Sequence, residues 1–149
     1  MPKKIMIATH TTLAEGFKKA MYFFTGEGQE VVTVCAYDGN NEDPNPEIDR
    51  FFDSLEPDDT VVVFSDLLCG SVNQILGKKL NTSKKEFHLI TDVNLSVIIG
   101  VCSLNEEEIN AENIRENIEL SKANMKYMND EMLESYEKSA SANEDDFLG

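Results

Sequence analysis

No apolar stretch in this chain is long enough to span a membrane, and the Met1-Pro2-Lys3-Lys4 start leads straight into a strand-like run rather than a signal peptide. Those absences predict a cytoplasmic protein. Cysteine is scarce: Cys35, Cys69 and Cys102 form no metal-spaced pair, and an odd count fits reduced thiols better than a disulfide framework. Neither a metal nor a cofactor is expected. Basic residues are few, 13 Lys and Arg against 28 Asp and Glu, giving a net charge of −15. Nucleic acid is excluded as a partner, because phosphate neutralisation needs clustered Lys and Arg, and so are anionic membrane surfaces. An acidic surface instead steers a basic protein partner toward itself. The imbalance is steepest from Leu104 to Gly149, with 13 acidic and 4 basic residues, which reads mainly as solvated helical surface. There is no internal repeat and no sign of a second domain.

What is present is an alternation of strand and helix signals. The 149 residues, 41% of them hydrophobic, suffice for one domain with a real core. A first strand covers about Lys4 to Thr9, followed by a helix with apolar residues at Leu13, Phe17, Ala20, Met21 and Phe24 on one face. Thr11 or Thr12 is its expected N-cap, and Gly26 and Gly28 end it. Val31 to Tyr37 reads as the second strand, and Asp38 to Pro46 as a loop whose Pro46 can enter the first turn of a short helix through Leu55. Thr60 to Ser65 is a third strand, apolar enough to be buried on both faces. A helix follows over about Val72 to Leu80, then a fourth strand over Glu86 to Thr91. Val93 to Ser103 is apolar but carries no decisive period. Glu106 to about Ser139 is one or two helices with a stripe running from Ile109 through Ile114, Ile118, Leu120, Met125, Met128, Met132 and Leu133. The expectation is a single α/β domain over 1–139, an open and mainly parallel sheet with helices on both faces, and a disordered acidic tail over 140–149.

The chemistry concentrates at two strand ends. His10 closes the run Ile5-Met6-Ile7-Ala8-Thr9 just before a helix, where ligands of open α/β sheets bind and where unpaired backbone N–H groups welcome an anion. A histidine there can accept a phosphoryl group on a ring nitrogen. The third strand delivers Asp66, followed by Leu67-Leu68-Cys69-Gly70-Ser71. In a sheet ordered 2-1-3-4 the first and third strands flank the switch point, so His10 and Asp66 lie side by side. The carboxylate then fixes the imidazole tautomer and stabilises positive charge on the ring. The Gly70-Ser71 turn offers N–H groups and a hydroxyl to phosphate oxygens, with Asn73 assisting from the first turn and Thr9 from the strand. His88, alternating with Phe87 and Leu89, reads as a structural histidine, and Cys35 and Cys102 as core.

These segments resemble the IIA component of the mannose-type sugar phosphotransferase system. That family has a first strand ending in Thr-His and an Asp-Leu-x-Gly-Gly-Ser-Pro-x-Asn segment after the third strand. This chain carries Ile7-Ala8-Thr9-His10 and Asp66-Leu67-Leu68-Cys69-Gly70-Ser71-Val72-Asn73. Asp92-Val93-Asn94-Leu95 falls where the family reads Gly-Val-Asn-Leu-Pro-Met. The resemblance covers roughly residues 3 to 135. It implies that His10 is phosphorylated, that Asp66 orients it and that Ser71 contacts the phosphate. It also implies sheet order 2-1-3-4, a homodimer and an added antiparallel strand exchanged between subunits. HPr would be the phosphoryl donor and a separate IIB protein the acceptor for sugar uptake, with the membrane IIC and IID components involved only indirectly. Cys69 and Asp92 stand where glycines are usual, and Val72 and Ser96 where prolines are usual.

Two other classes of function fit parts of the same pattern. Cys69, His10 and Asp66 could form a thiol-nucleophile arrangement. The same domain could also act as a phosphorylation-dependent regulator, or as the phosphotransfer subunit of a dihydroxyacetone kinase, which uses a domain of this type.

Overall fold

The computed structural model describes residues 2–148, with the side chains of Ser135 and 141–148 outside the description. Four strands, β1 (Lys3–His10), β2 (Val31–Ala36), β3 (Thr60–Ser65) and β4 (His88–Ile90), form one parallel sheet in the order β2-β1-β3-β4. The intervening helices are α1 (Leu13–Thr25), α2 (Asn45–Asp53) and α3 (Ser71–Thr82). After β4 come α4 (Leu95–Cys102), a short 3₁₀ turn, α5 (Ala111–Ala123) and α6 (Met128–Leu148).

Side chains alternate across each strand, so β1 and β3 feed two separate cores. Ile5, Ile7, Val62 and Phe64 pack with Met21 of α1, Ile98 and Val101 of α4, and Ile114 of α5. Met6, Ala8, Val61 and Val63 pack on the other face with Ile48 of α2 and Val72 and Leu76 of α3. Burial on both faces is what the uninterrupted apolar runs of a central parallel strand require. The crossover directions diverge between β1 and β3, and a crevice opens at their carboxyl ends.

Several local expectations are corrected. Thr12 holds the N-cap position of α1 as expected, but its side chain makes no capping bond: the buried Thr9 hydroxyl does so from the strand, accepting from the Ala14 N–H at 2.7 Å. The helix ends at Gly26, whose φ of +81° and ψ of 171° form a conformation open to glycine. Its apolar face is narrower than the period suggests, since Leu13 and Phe24 are exposed. The unassigned apolar segment is α4, capped by Asn94, whose side chain accepts from the Val97 N–H.

Among the described residues no fifth strand joins the sheet, in contrast to the exchanged antiparallel strand that the resemblance implied. The sequence gives a reason: no Val, Ile or Thr occurs after Ile118, so the β-branched residues that favour a pleated surface are missing where such a strand would start. The apolar stripe holds as far as Ile114 and Ile118, but Leu120, Met125, Met128, Met132 and Leu133 are exposed. The tail expected to be disordered falls on positions where α6 runs to Leu148, with the side chains of 141–149 and all of Gly149 outside the described residues.

Candidate functional site

His10 is the last residue of β1, and its neighbours are set by the sheet. On one side it pairs in register with Ala36 of β2; on the other, β3 ends with Ser65 beside Ala8 and turns into Asp66. The Asp66 carboxylate grips His10 twice through one oxygen. Its Oδ2 accepts from the His10 backbone N–H at 2.8 Å and lies 2.9 Å from the ring Nδ1. Backbone and ring are thus fixed together. Since a carboxylate can only accept, Nδ1 carries the proton, and in the neutral ring Nε2 then keeps the lone pair.

That lone pair points to the Ser71 hydroxyl, 3.1 Å away. Ser71 is the first residue of α3, with Gly70 as N-cap. First-turn N–H groups have no intrahelical partner, and together with the helix dipole they favour negative charge at this spot. The site therefore holds an imidazole whose second nitrogen lies at an anion-accepting helix end. Gly70 allows a close approach: a Cβ there would sit 3.2 Å from the His10 ring Cε1 and 3.1 Å from the Leu67 carbonyl oxygen.

His10 is open to solvent, its side chain 35% exposed against 11% for Asp66. Exposed apolar side chains follow both site residues in the chain, Leu13 at the start of α1 after His10, and Leu67 and Leu68 directly after Asp66. The Tyr37 ring, just past β2, has its centroid 5.6 Å from that of His10 at an interplanar angle of 37°. The other oxygen of Asp66, Oδ1, is buried without a hydrogen-bond partner.

Of the residues expected at the site, the structure brings His10, Asp66, Gly70 and Ser71 together. Thr9 and Asn73 are placed otherwise. The Thr9 hydroxyl is committed to capping α1. Asn73 accepts from the Cys69 N–H at 3.0 Å and donates to the Thr91 hydroxyl at 2.7 Å, so it braces the loop from inside. Cys69 is exposed, and with Nδ1 on Asp66 and Nε2 on Ser71 neither ring nitrogen is directed to it, so the thiol-enzyme arrangement does not form. His88 is half-buried in β4, where burial lowers its pKa. Burial likewise pushes the Cys102 thiol up to about 12 and leaves it inert. Among the described residues no cluster of His, Cys, Asp or Glu could hold a metal.

Sequence reasoning missed Tyr37, Leu13, Leu67 and Leu68. Tyr37 was readable in principle, because the residue following β2 must emerge beside the end of β1 once the strand order is known.

Each strand is followed within four residues by a non-glycine residue at positive φ: Thr11 (+53°), Tyr37 (+60°), Cys69 (+64°) and Asp92 (+56°). This conformation costs an L-residue about 1–2 kcal/mol. Cys69 and Asp92 occupy positions where the resembled motifs carry glycine, which accounts for the glycine there. Cys69→Gly should therefore raise stability by about 0.5–1 kcal/mol after the entropic cost of glycine is subtracted. Thermal unfolding at matched pH checks it, and a lowered Tm would show that the loop carries no such strain.

A strand-end histidine between a buried carboxylate and a helix-terminal serine, on a doubly wound parallel sheet, makes this a small α/β protein with a candidate anion-receiving site. A family profile described as the phosphotransferase system (PTS) fructose IIA component matches residues 4–119, and the chain belongs to that family. It is thus a IIA-type component of a sugar phosphotransferase system. Among solved structures it is similar to a Klebsiella pneumoniae protein assigned as a phosphoenolpyruvate-dependent sugar PTS permease, with 25% identity and a TM-score of 0.79 over 89% of this chain and 95% of that one. It is also similar in fold to the PTS IIA protein associated with the fucose utilization operon of Streptococcus pneumoniae, at 19% identity and TM-score 0.70 over 89% and 97% of the two chains. The mannose/sorbose-specific IIA subunit of Enterococcus faecalis shares the fold at 17% identity and TM-score 0.59, covering 85% and 94%. No curated protein sequence matches the chain significantly.

Proposed function

We propose that this protein is a cytoplasmic phosphocarrier that takes a phosphoryl group from phospho-HPr onto Nε2 of His10 and passes it to a separate IIB protein for sugar uptake. The observation that carries this reading is the direction of the two ring nitrogens: Nδ1 on Asp66, and Nε2 at the N-terminus of α3 beside Ser71. As the P–N bond of the donor breaks, a bond forms from phosphorus to the Nε2 lone pair, while Nδ1 keeps its proton. The ring then carries positive charge opposite the Asp66 carboxylate, and the phosphoryl oxygens face the Ser71 hydroxyl and the first-turn N–H groups of α3. The same groups support the reverse step toward IIB, since a relay must neither bind its phosphate too weakly nor hold it too long.

Exposure supports protein partners rather than a small substrate. Donor and acceptor must each bring a side chain to the same nitrogen, and the apolar rim of Leu13, Leu67 and Leu68 offers them a docking surface. The net charge of −15 adds steering of a basic donor. The transfer rate from phospho-HPr should accordingly fall as salt rises from 0.01 M, because exposed charges are screened within about 10 Å at 0.1 M. Stopped-flow transfer across a salt series measures this, and a flat profile would remove steering from the account. We further propose a homodimer. Exposed Phe23 and Phe24 on α1, Leu120 in the last turn of α5 and Met125 just beyond it supply apolar surface for it. Light scattering decides between dimer and monomer masses.

The Asp66–His10–Ser71 chain of hydrogen bonds also has the connectivity of a hydrolase triad, in which the histidine would act as base toward the serine. Incubation with phosphoenolpyruvate, enzyme I and HPr separates the two roles. One acid-labile phosphate per chain, absent in His10→Ala, is the expected result. An acid-stable ester on Ser71, or a label that survives His10→Ala, would overturn the assignment.

A further inference from the structure

We propose that Tyr37 is a positioning residue for His10, its ring fixing the tilt of the imidazole and screening one face of the phosphorylated ring from water. The inference rests on His10 being the phosphoryl carrier, and three observations on Tyr37 itself support it.

Placement comes first. Ala36 is the register partner of His10, and the Thr11 N–H donates to the Ala36 carbonyl at 2.6 Å, so the ends of β1 and β2 are tied together. The residue following Ala36 is thereby held beside the imidazole. Backbone geometry is second. Tyr37 sits at φ +60°, a region that a bulky aromatic residue adopts at a cost. The loop after it is built to keep it there: the Tyr37 N–H donates to the Asn41 carbonyl at 2.6 Å, and the Asp38 carboxylate accepts from the Asn40 and Asn41 N–H groups at 2.9 Å. Exposure is third. Tyr37 remains 38% exposed, so core burial does not account for an aromatic residue here. What its ring does meet is His10, at a centroid separation within the range of aromatic pairs.

The imidazole edges are already occupied, with Asp66 at Nδ1, Ser71 at Nε2 and Gly70 against Cε1. In-plane hydrogen bonds set the direction of a ring but leave its tilt softer. An aromatic ring 5.6 Å away and inclined by 37° supplies that restraint. Once phosphorylated, the ring is cationic, and an aromatic face within about 6 Å attracts a cation. Hydrolysis requires a water oxygen to bond to phosphorus while the P–Nε2 pair returns to the ring and the water proton leaves to solvent. Covering one side of the ring narrows that approach without closing the side that the protein partners use.

The test uses the full chain with Tyr37→Phe, which keeps the ring, and Tyr37→Asn, which removes it while tolerating positive φ. In unphosphorylated protein, His10 ring-proton shifts and imidazole nitrogen spectra report the aromatic contact and the single tautomer. Wild type and Tyr37→Phe should share them, whereas Tyr37→Asn should lose the ring-current displacement and show broadened nitrogen signals. The phosphohistidine lifetime should be kept in Tyr37→Phe and shortened roughly three- to tenfold in Tyr37→Asn. A folded Tyr37→Asn with unchanged spectra and lifetime would overturn the proposal, as would a Tyr37→Phe as impaired as Tyr37→Asn. The spectral comparison needs no phosphate, so it decides the role of Tyr37 even if wild type takes no label, an outcome that counts against His10 as carrier instead.

Discussion

Asp66→Asn is expected to slow phosphoryl transfer through His10 by about 10²-fold in both directions while leaving the fold intact. The carboxylate does two separable things. Through Oδ2 it holds the backbone N–H and Nδ1 of His10, and as an anion it faces the charge that appears on the ring when Nε2 is phosphorylated. Asparagine can still accept hydrogen bonds at that position but supplies no charge. A factor of 10² corresponds to about 2.7 kcal/mol of lost stabilisation in the transition state. The resting protein should not suffer equally, because Asp66 is a nearly buried carboxylate whose Oδ1 has no partner. Leaving such a group unpaired costs about 1–3 kcal/mol, which a neutral amide reduces. Thermal unfolding should therefore show unchanged or raised stability beside the slowed transfer. Equal loss of both would make Asp66 a structural turn residue, and unchanged transfer would remove it from the chemistry.

Gly70→Val is expected to disable the site by contact rather than by chemistry. The backbone of Gly70, at φ −68° and ψ 164°, suits any residue, so strain is not the reason for glycine. Space is. A Cβ alone would crowd the Leu67 carbonyl oxygen and the His10 ring, and the two further methyl groups of valine have no room unless the imidazole swings off Asp66 or the loop opens. Overpacking of this kind costs about 1–3 kcal/mol. Labelling of His10 should fall by roughly tenfold or more, in line with the sensitivity of transfer to small misplacements. Gly70→Ala, needing only a few tenths of an ångström, should lie between wild type and valine. A Gly70→Val protein that takes phosphate at the wild-type rate would show that the imidazole need not stay where the structure has it.

The sheet was readable because its evidence is local and repeated. Uninterrupted apolar runs at Ile5 to Thr9 and Val61 to Phe64 mark strands buried on both faces, while the strand order β2-β1-β3-β4 was implied by the family resemblance and is the order observed. The site residues Gly70 and Ser71 were readable for the same reason, as a strand end leading into a helix start. For Thr9 and Asn73 nothing in the sequence distinguishes a hydroxyl or amide that meets a ligand from one that braces a loop; the structure shows them bonded to Ala14, Cys69 and Thr91. The positive φ values at Thr11, Tyr37 and Cys69 were hidden because those residue types rarely signal such turns. The helical C-terminal region was half readable: its period was clear, but the exposure of Met125 to Leu133 depends on what packs against it, which the sequence does not state.

The most direct test of the account is the position of the phosphate on the imidazole. Nitrogen and phosphorus NMR of the chain, after phosphorylation by phosphoenolpyruvate, enzyme I and HPr, reads the bonded nitrogen and the remaining ring proton together. Phosphorus on Nε2 of His10 with a retained Nδ1–H, hydrogen-bonded to Asp66, is the expected result. Phosphorus on Nδ1, on His88 or on the Ser71 oxygen would contradict it.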